Sequence, residues 1–80
     1  MRASTFHPKT PQETALAELA LAAREHFPPA IFWTIPPSAD LPVEARNLGH
    51  QLEKHGGMPG LAHAARIEQA LKNCGYDSWR

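Results

Sequence analysis

Between Leu41 and Gly75 the chain reads as a helix, a glycine break and a second helix. Leu41, Ala45, Leu48 and Leu52 fall at i, i+4, i+7 and i+11, which gathers them on one apolar face. Gly56-Gly57 follows, at a place where a chain leaving a helix often needs positive φ. Pro59 stands at a favourable first helical position. Leu61, Ala64, Ile67 and Leu71 then form a second apolar stripe, and Gly75 closes it. The spacing predicts one helix to about His55 and another from about Pro59 to Asn73.

Upstream, residues 1–9 read as a flexible N-terminal arm, with Phe6 the residue able to tie it down. Residues 10–80 read as a single small helical domain. Thr10-Pro11-Gln12-Glu13 has the form of a capping box: a threonine cap, proline at the first helical position, and glutamate three residues after the cap. Leu16, Leu19, Ala20, Ala23 and Phe27 supply the stripe of this first helix, with Leu21 off it and available to a second element or chain. Pro28-Pro29 stop it. Ala30 to Ile35 is strand-like, with Ile31, Trp33 and Ile35 alternating against Ala30, Phe32 and Thr34. Such a lone segment pairs across a dimer, adds to a target's sheet edge, or lies as an extended apolar lid on the helices. If extended, it points Phe32 and Trp33 to opposite sides. Ser38, Ala39 and Asp40 precede the second helix as capping candidates. Gly49 inside that helix costs about 1 kcal/mol relative to alanine, which suggests a close helix crossing. The fold class expected is mostly α: a small three-helix domain with one short extended or β segment between helices one and two.

Eighty residues make one domain with a small core. Eight basic residues balance eight acidic ones, whereas proteins that live by phosphate contact usually carry a basic excess. A single cysteine forbids an internal disulfide and fits a reducing compartment. No apolar run approaches the roughly 20 residues of a membrane span. Met1-Arg2-Ala3-Ser4-Thr5 has no apolar segment behind it of the kind a signal peptide needs. A cytoplasmic protein without a membrane partner is the expectation.

Catalytic and metal chemistries find little footing. His50 and His55 are five apart, about 140° round a helix, whereas zinc pairs on one face stand at i, i+4. Cys74 lacks a C-x-x-C partner and continues the Leu61–Ile67–Leu71 stripe, as a small apolar residue would. No P-loop, G-x-G-x-x-G or G-x-S-x-G is present. No catalytic residue, metal ligand or cofactor is assigned, and the chain is expected not to be an enzyme. Arg46, His50 and Lys54 recur every four residues along helix two, a basic stripe that His63 and Arg66 extend across the turn. It serves either as a solvated face or as a contact for a partner.

The run from Asn47 to Met58, Asn47-Leu48-Gly49-His50-Gln51-Leu52-Glu53-Lys54-His55-Gly56-Gly57-Met58, resembles a helical hairpin pattern, L-G-x-x-L-x-x-x-G-G-M, of small phage and prophage proteins. Their tryptophan-bearing end is similar to Tyr76-Asp77-Ser78-Trp79. The resemblance covers residues 41–79. Pro59-Gly60 after the methionine departs from it and shifts the start of helix three. By size and character it implies an inhibitor of host machinery, the anti-CRISPR proteins being the best-known class. Many of these are acidic DNA mimics, and this neutral chain would have to rely on shape and apolar contact instead.

The function expected is therefore a non-catalytic protein-binding module, an anti-CRISPR type inhibitor blocking a CRISPR effector complex in a bacterial host's cytoplasm, as monomer or homodimer. Its contacts are expected at Phe32 or Trp33, Arg46, His50, Lys54 and Trp79. The alternative is a small nucleic-acid-binding protein using the 41–75 hairpin, with helix three in a groove.

Overall fold

The computed structural model describes residues 6–79. Three helices, α1 (Pro11–His26), α2 (Leu41–His55) and α3 (Gly57–Asn73), pack on one another, and a one-turn 3-10 helix (Pro29–Phe32) crosses between α1 and α2. The domain is mostly α, as expected.

The helix starts follow local chemistry. Thr10 Oγ1 accepts the Glu13 amide at 3.1 Å. Glu13 Oε1 reaches back to the Lys9 amide at 2.7 Å, one residue earlier than in the usual capping box. Asp40 is the cap of α2, its Oδ1 taking the Val43 amide at 3.3 Å. A single residue, Gly56, both ends α2 and precedes α3, so α3 begins at Gly57 rather than at Pro59. Gly57 has φ +67°, which accounts for the second glycine. At the far end Gly75, φ +82°, closes a Schellman turn: Tyr76 N donates to Leu71 O at 2.9 Å and Gly75 N to Lys72 O at 3.0 Å.

The short extended or β segment expected over residues 30–35 is a 3-10 turn rather than a strand. Pro28 and Pro29 enter with φ already fixed, and proline has no amide to give a ladder. The segment closes on itself instead, Ile31 N donating to Pro28 O at 3.1 Å and Ile35 N to Phe32 O at 2.9 Å. Among the described residues there is no strand for it to join.

The core is built of small residues. Leu16, Leu48, Leu52, Ile67 and Leu71 are its largest fully buried side chains, joined by Ala17, Ala20, Ala23, Ala45, Ala64 and Ala70 and flanked by the buried Phe6 and Phe32. Leu61, expected in the α3 stripe, is exposed; Gly60 takes the seam. The reason is the close approach of α2: a Cβ on Gly60 would lie 2.5 Å from the Leu52 carbonyl oxygen. Gly49 makes room not for a helix but for the tail, since a Cβ there would lie 2.5 Å from Trp79 Cη2. Phe6 is buried, tying down the near end of the N-terminal arm; residues 1–5 of that arm lie outside the described residues.

One charged pair sits within this core. Glu44 is only 4% exposed, and Arg24 grips it twice, Nε to Oε2 at 2.6 Å and Nη2 to Oε1 at 3.2 Å. The Ser38 amide donates to the same Oε1 at 3.1 Å. The guanidinium stacks over Phe32, 5.5 Å from the ring centre.

Three substitutions test these contacts. Gly60→Ala drives a methyl into backbone and should cost about 1–3 kcal/mol by overpacking, read by urea unfolding. Gly49→Ala meets only a movable ring and gains about 1 kcal/mol of helix propensity. It should unfold near the wild-type midpoint, while Trp79 fluorescence, read in a Trp33→Phe background, shifts to the red. Glu44→Ala leaves a guanidinium without its carboxylate and should cost about 3 kcal/mol, with Arg24→Met plus Glu44→Leu recovering most of it.

Candidate functional site

The 3-10 turn sends adjacent aromatics opposite ways. Phe32 is buried under Arg24, and Trp33 stands 81% exposed. Beside Trp33 lies a groove of about 420 Å³ lined by Ala30, Ile31, Trp33, Thr34, Gln51 and His55. Gln51 and His55 are four apart on α2, so they share the helix face that the 3-10 segment overlies. Gln51 Nε2 donates to Thr34 Oγ1 at 3.4 Å. Gln51 Oε1 is shielded from solvent and accepts no hydrogen bond from the described residues.

Taken at about 100° per residue, the positions on α2 place the rest of the stripe. His50 and Lys54 are exposed and form a ridge next to the groove. Beyond the ridge, Arg46 is half-buried and its Nη1 donates to the Asp77 carbonyl at 3.4 Å. Trp79 is half-buried against Gly49, with its indole Nε1 3.5 Å from Glu53 Oε1. The helix thus carries tail, basic ridge and groove in succession round its circumference. Of the expected contact residues, Trp33, His50 and Lys54 face outward together. Phe32 belongs to the core, and Arg46 and Trp79 hold the tail. His63 is drawn away from the ridge into the α1–α3 seam, donating from Nε2 to Leu19 O at 2.9 Å and meeting Phe27 edge-on. Of the groove's polar members, His55 was weighed from the sequence only as a metal ligand, and Thr34 and Gln51 were not assigned to a site. The spacing of Gln51 and His55, off the leucine face, was the available signal.

A second cavity, about 270 Å³, lies under the N-terminal arm and is lined by Phe6, His7, Pro8, Glu13, Ala39, Leu41 and Tyr76. Tyr76 donates its hydroxyl to Glu13 Oε2 at 2.8 Å, clasping the tail to α1. The Lys9 amide and then the Tyr76 hydroxyl hold the Glu13 carboxyl below the usual carboxylate range. The bond to Glu13, with burial behind it, raises the Tyr76 phenol. Burial raises the Cys74 thiol, and the Glu13 charge adds to this, so Cys74 has less thiolate than an ordinary cysteine. Among the described residues no three His, Cys, Asp or Glu side chains gather where a metal ion would sit. No described helix is long and apolar enough to cross a membrane.

Compared with known proteins, the chain matches no family model, no curated protein and no solved structure.

The clasp has a pH signature. Glu13 is depressed in the fold, so its contribution is present above the unfolded carboxylate pKa and is lost as pH falls through the lower, folded value. Tyr76 is raised, so its contribution is present below the unfolded phenol pKa, roughly 10, and is lost as pH climbs through the folded value. Tyr76→Phe should therefore lower the thermal midpoint at pH 7, and the gap between variant and wild type should narrow as pH falls below the ordinary carboxylate range, in parallel melts followed by circular dichroism.

Proposed function

We propose that this chain is a non-catalytic protein-binding module that holds its partner through Trp33 and the groove beside it, with His50 and Lys54 at the edge of the contact. The observation that carries this reading is the 81% exposure of Trp33 on a segment pinned from beneath by Arg24 and Phe32. Exposed tryptophan is the residue most enriched among binding hot spots, and a fixed backbone lowers the entropy lost on docking. The neutral charge of the chain favours a protein surface over a polyanion. In its sharpest form the module is a phage- or prophage-derived inhibitor of host defence, acting in the bacterial cytoplasm. It would occupy a surface of a CRISPR effector complex in the manner of an anti-CRISPR protein. That form rests on the resemblance of residues 41–79 and on size.

The test is retention of proteins by the tagged chain from lysate of a bacterium carrying a CRISPR system, with and without nuclease. Wild type and Trp33→Ala are run side by side. A nuclease-resistant stoichiometric partner should be held by wild type and weakened roughly 30-fold or more by Trp33→Ala, the scale of a hot spot of about 2 kcal/mol. Trp33 is exposed, so the variant's thermal midpoint should be unchanged. Subunits of an effector complex as that partner would support the inhibitor form. Equal retention by both proteins would remove Trp33 from the contact. Partners that vanish with nuclease, with affinity falling steeply with salt, would favour nucleic-acid binding by the 41–75 hairpin instead.

A further inference from the structure

The Arg24–Glu44 pair reaches further than a joint between two helices requires. α1 and α2 already share a core of leucine and alanine, and an apolar pair of similar volume often serves such a core as well as a buried ion pair does. What the ion pair adds lies along the connection between the helices. The Arg24 guanidinium covers the Phe32 ring at 5.5 Å, its Nη2 donates to the Ile35 carbonyl at 3.5 Å, and the Ser38 amide donates to Glu44 Oε1 at 3.1 Å. Phe32, Ile35 and Ser38 are each three residues apart, so one ion pair holds the connection at evenly spaced points. Trp33 and Thr34 lie between the first two of them, and both are exposed. The backbone bonds from Ile31 N to Pro28 O and from Ile35 N to Phe32 O tie the turn only to itself. Its path over the helices is therefore left to side chains, with Gln51 reaching Thr34 from one side and the ion pair gripping from the other.

We propose that Arg24 and Glu44 are positioning residues for Trp33: they fix the path of the connection, so that the indole stands at one place when a partner arrives. This deepens, and rests on, the reading of Trp33 as the partner contact. The chemistry of arginine suits the role. Its planar fork donates to the carboxylate and to a carbonyl while its face covers a ring, and neither a lysine nor an apolar side chain does all three. The burial of the pair suits it too. Glu44 is 4% exposed, so any path of the connection that draws Ser38 or Arg24 away leaves that charge short of donors, and competing paths are penalised. Freedom given up by the turn on folding is then not lost again on docking.

The experiment compares wild type with the double variant Arg24→Met plus Glu44→Leu by nuclear magnetic resonance, through amide nitrogen relaxation and amide hydrogen exchange, well below both thermal midpoints. The double variant should melt near the wild-type midpoint. The order parameters of the Trp33, Thr34 and Ile35 amides should nonetheless fall from about 0.85 to below about 0.6. The Ile35 amide should exchange roughly tenfold faster or more, through local opening of the turn. The Tyr76 amide, which donates to Leu71 O at the far end of α3, is the internal reference and should be unchanged. Arg24→Lys keeps the charge and loses the fork; it should loosen the same three amides, and it decides the matter should the double variant not fold. Order parameters at the turn that stay at the wild-type value in the deciding variant would overturn the positioning role. So would a Tyr76 amide that loosens along with them, since the effect would then be general. None of those results touches the Trp33→Ala comparison of partner retention, so the positioning role and the protein-binding reading fail separately.

Discussion

The position of everything between α1 and α2 depends on one buried charge. Glu44 faces the core from a helix surface otherwise made of leucine and alanine, where an unpaired carboxylate would be prohibitively desolvated. It is tolerated because both oxygens are bonded, Oε2 to Arg24 and Oε1 to Arg24 and the Ser38 amide. Those bonds also do topological work. Arg24 belongs to α1, Glu44 to α2, and Ser38 to the connection, so a single carboxylate joins three parts of the chain. Arg24 Nη2 adds the Ile35 carbonyl at 3.5 Å and its plane covers Phe32. The connection holds Pro28, Pro29, Pro36 and Pro37 and has few amides of its own to spend. A side-chain clamp replaces the ladder that such a segment cannot make. Burying a pair of this kind is weak evidence for stability, since apolar replacements often do as well, but it fixes one arrangement among several.

The second constraint is how close the helices come. A core of alanines and a few leucines gains little area per residue, so it must gain contact by backbone proximity. Gly56 and Gly60 let α3 fold back directly onto the Leu52 turn of α2. The chain ends then cover what the small core leaves open. Phe6 is buried from one side; from the other, the Schellman turn at Gly75 aims Tyr76 at Glu13 and carries the tail across α2 to seat Trp79 on Gly49. Both glycines in question sit where a side chain would collide, yet the collisions differ in kind. At Gly60 the obstacle is backbone, which cannot yield; at Gly49 it is an aromatic ring near the chain terminus, which can.

What the sequence made legible was whatever is decided within a turn of helix. Thr10, Asp40, the glycine break and Gly75 act through neighbours a few residues away, and the helices begin and end close to where those residues place them. Apart from the start of α3, at Gly57 rather than Pro59, the failures involve partners beyond the local turn. β-propensity over residues 30–35 is a statement about packing on a sheet, and the described residues form no sheet. Leu61 yields its place in the seam to Gly60 because of an oxygen on Leu52, which no periodicity contains. Gly49 was readable as a residue with a reason, but the neighbour is an indole thirty residues away rather than a helix. Glu44 was visible as a charge in an apolar register, three after Leu41 and four before Leu48, and Arg24 likewise between Ala20 and Phe27. Their pairing was not, because it joins α1 to α2. At the candidate site the opposition of Phe32 and Trp33 was readable. The contact of Gln51 with Thr34 was not, since it joins α2 to the connection.

These two levels meet at Trp33. An aromatic on a loose loop loses conformational freedom when it docks, and that loss subtracts from whatever area it buries. Trp33 is next to a residue held in the core, on a turn closed by its own 3-10 hydrogen bonds and clamped by Arg24. Little beyond the two side-chain torsions of the ring remains to be ordered on binding. The groove wall opposite is α2 itself, whose face toward the groove is set by the same Glu44 that anchors the clamp, seven residues before Gln51 on that helix. The distance from Trp33 to Gln51 is therefore governed from inside the core. The turn that carries Trp33 and the helix that carries Gln51 are thus held in place by residues buried beneath them.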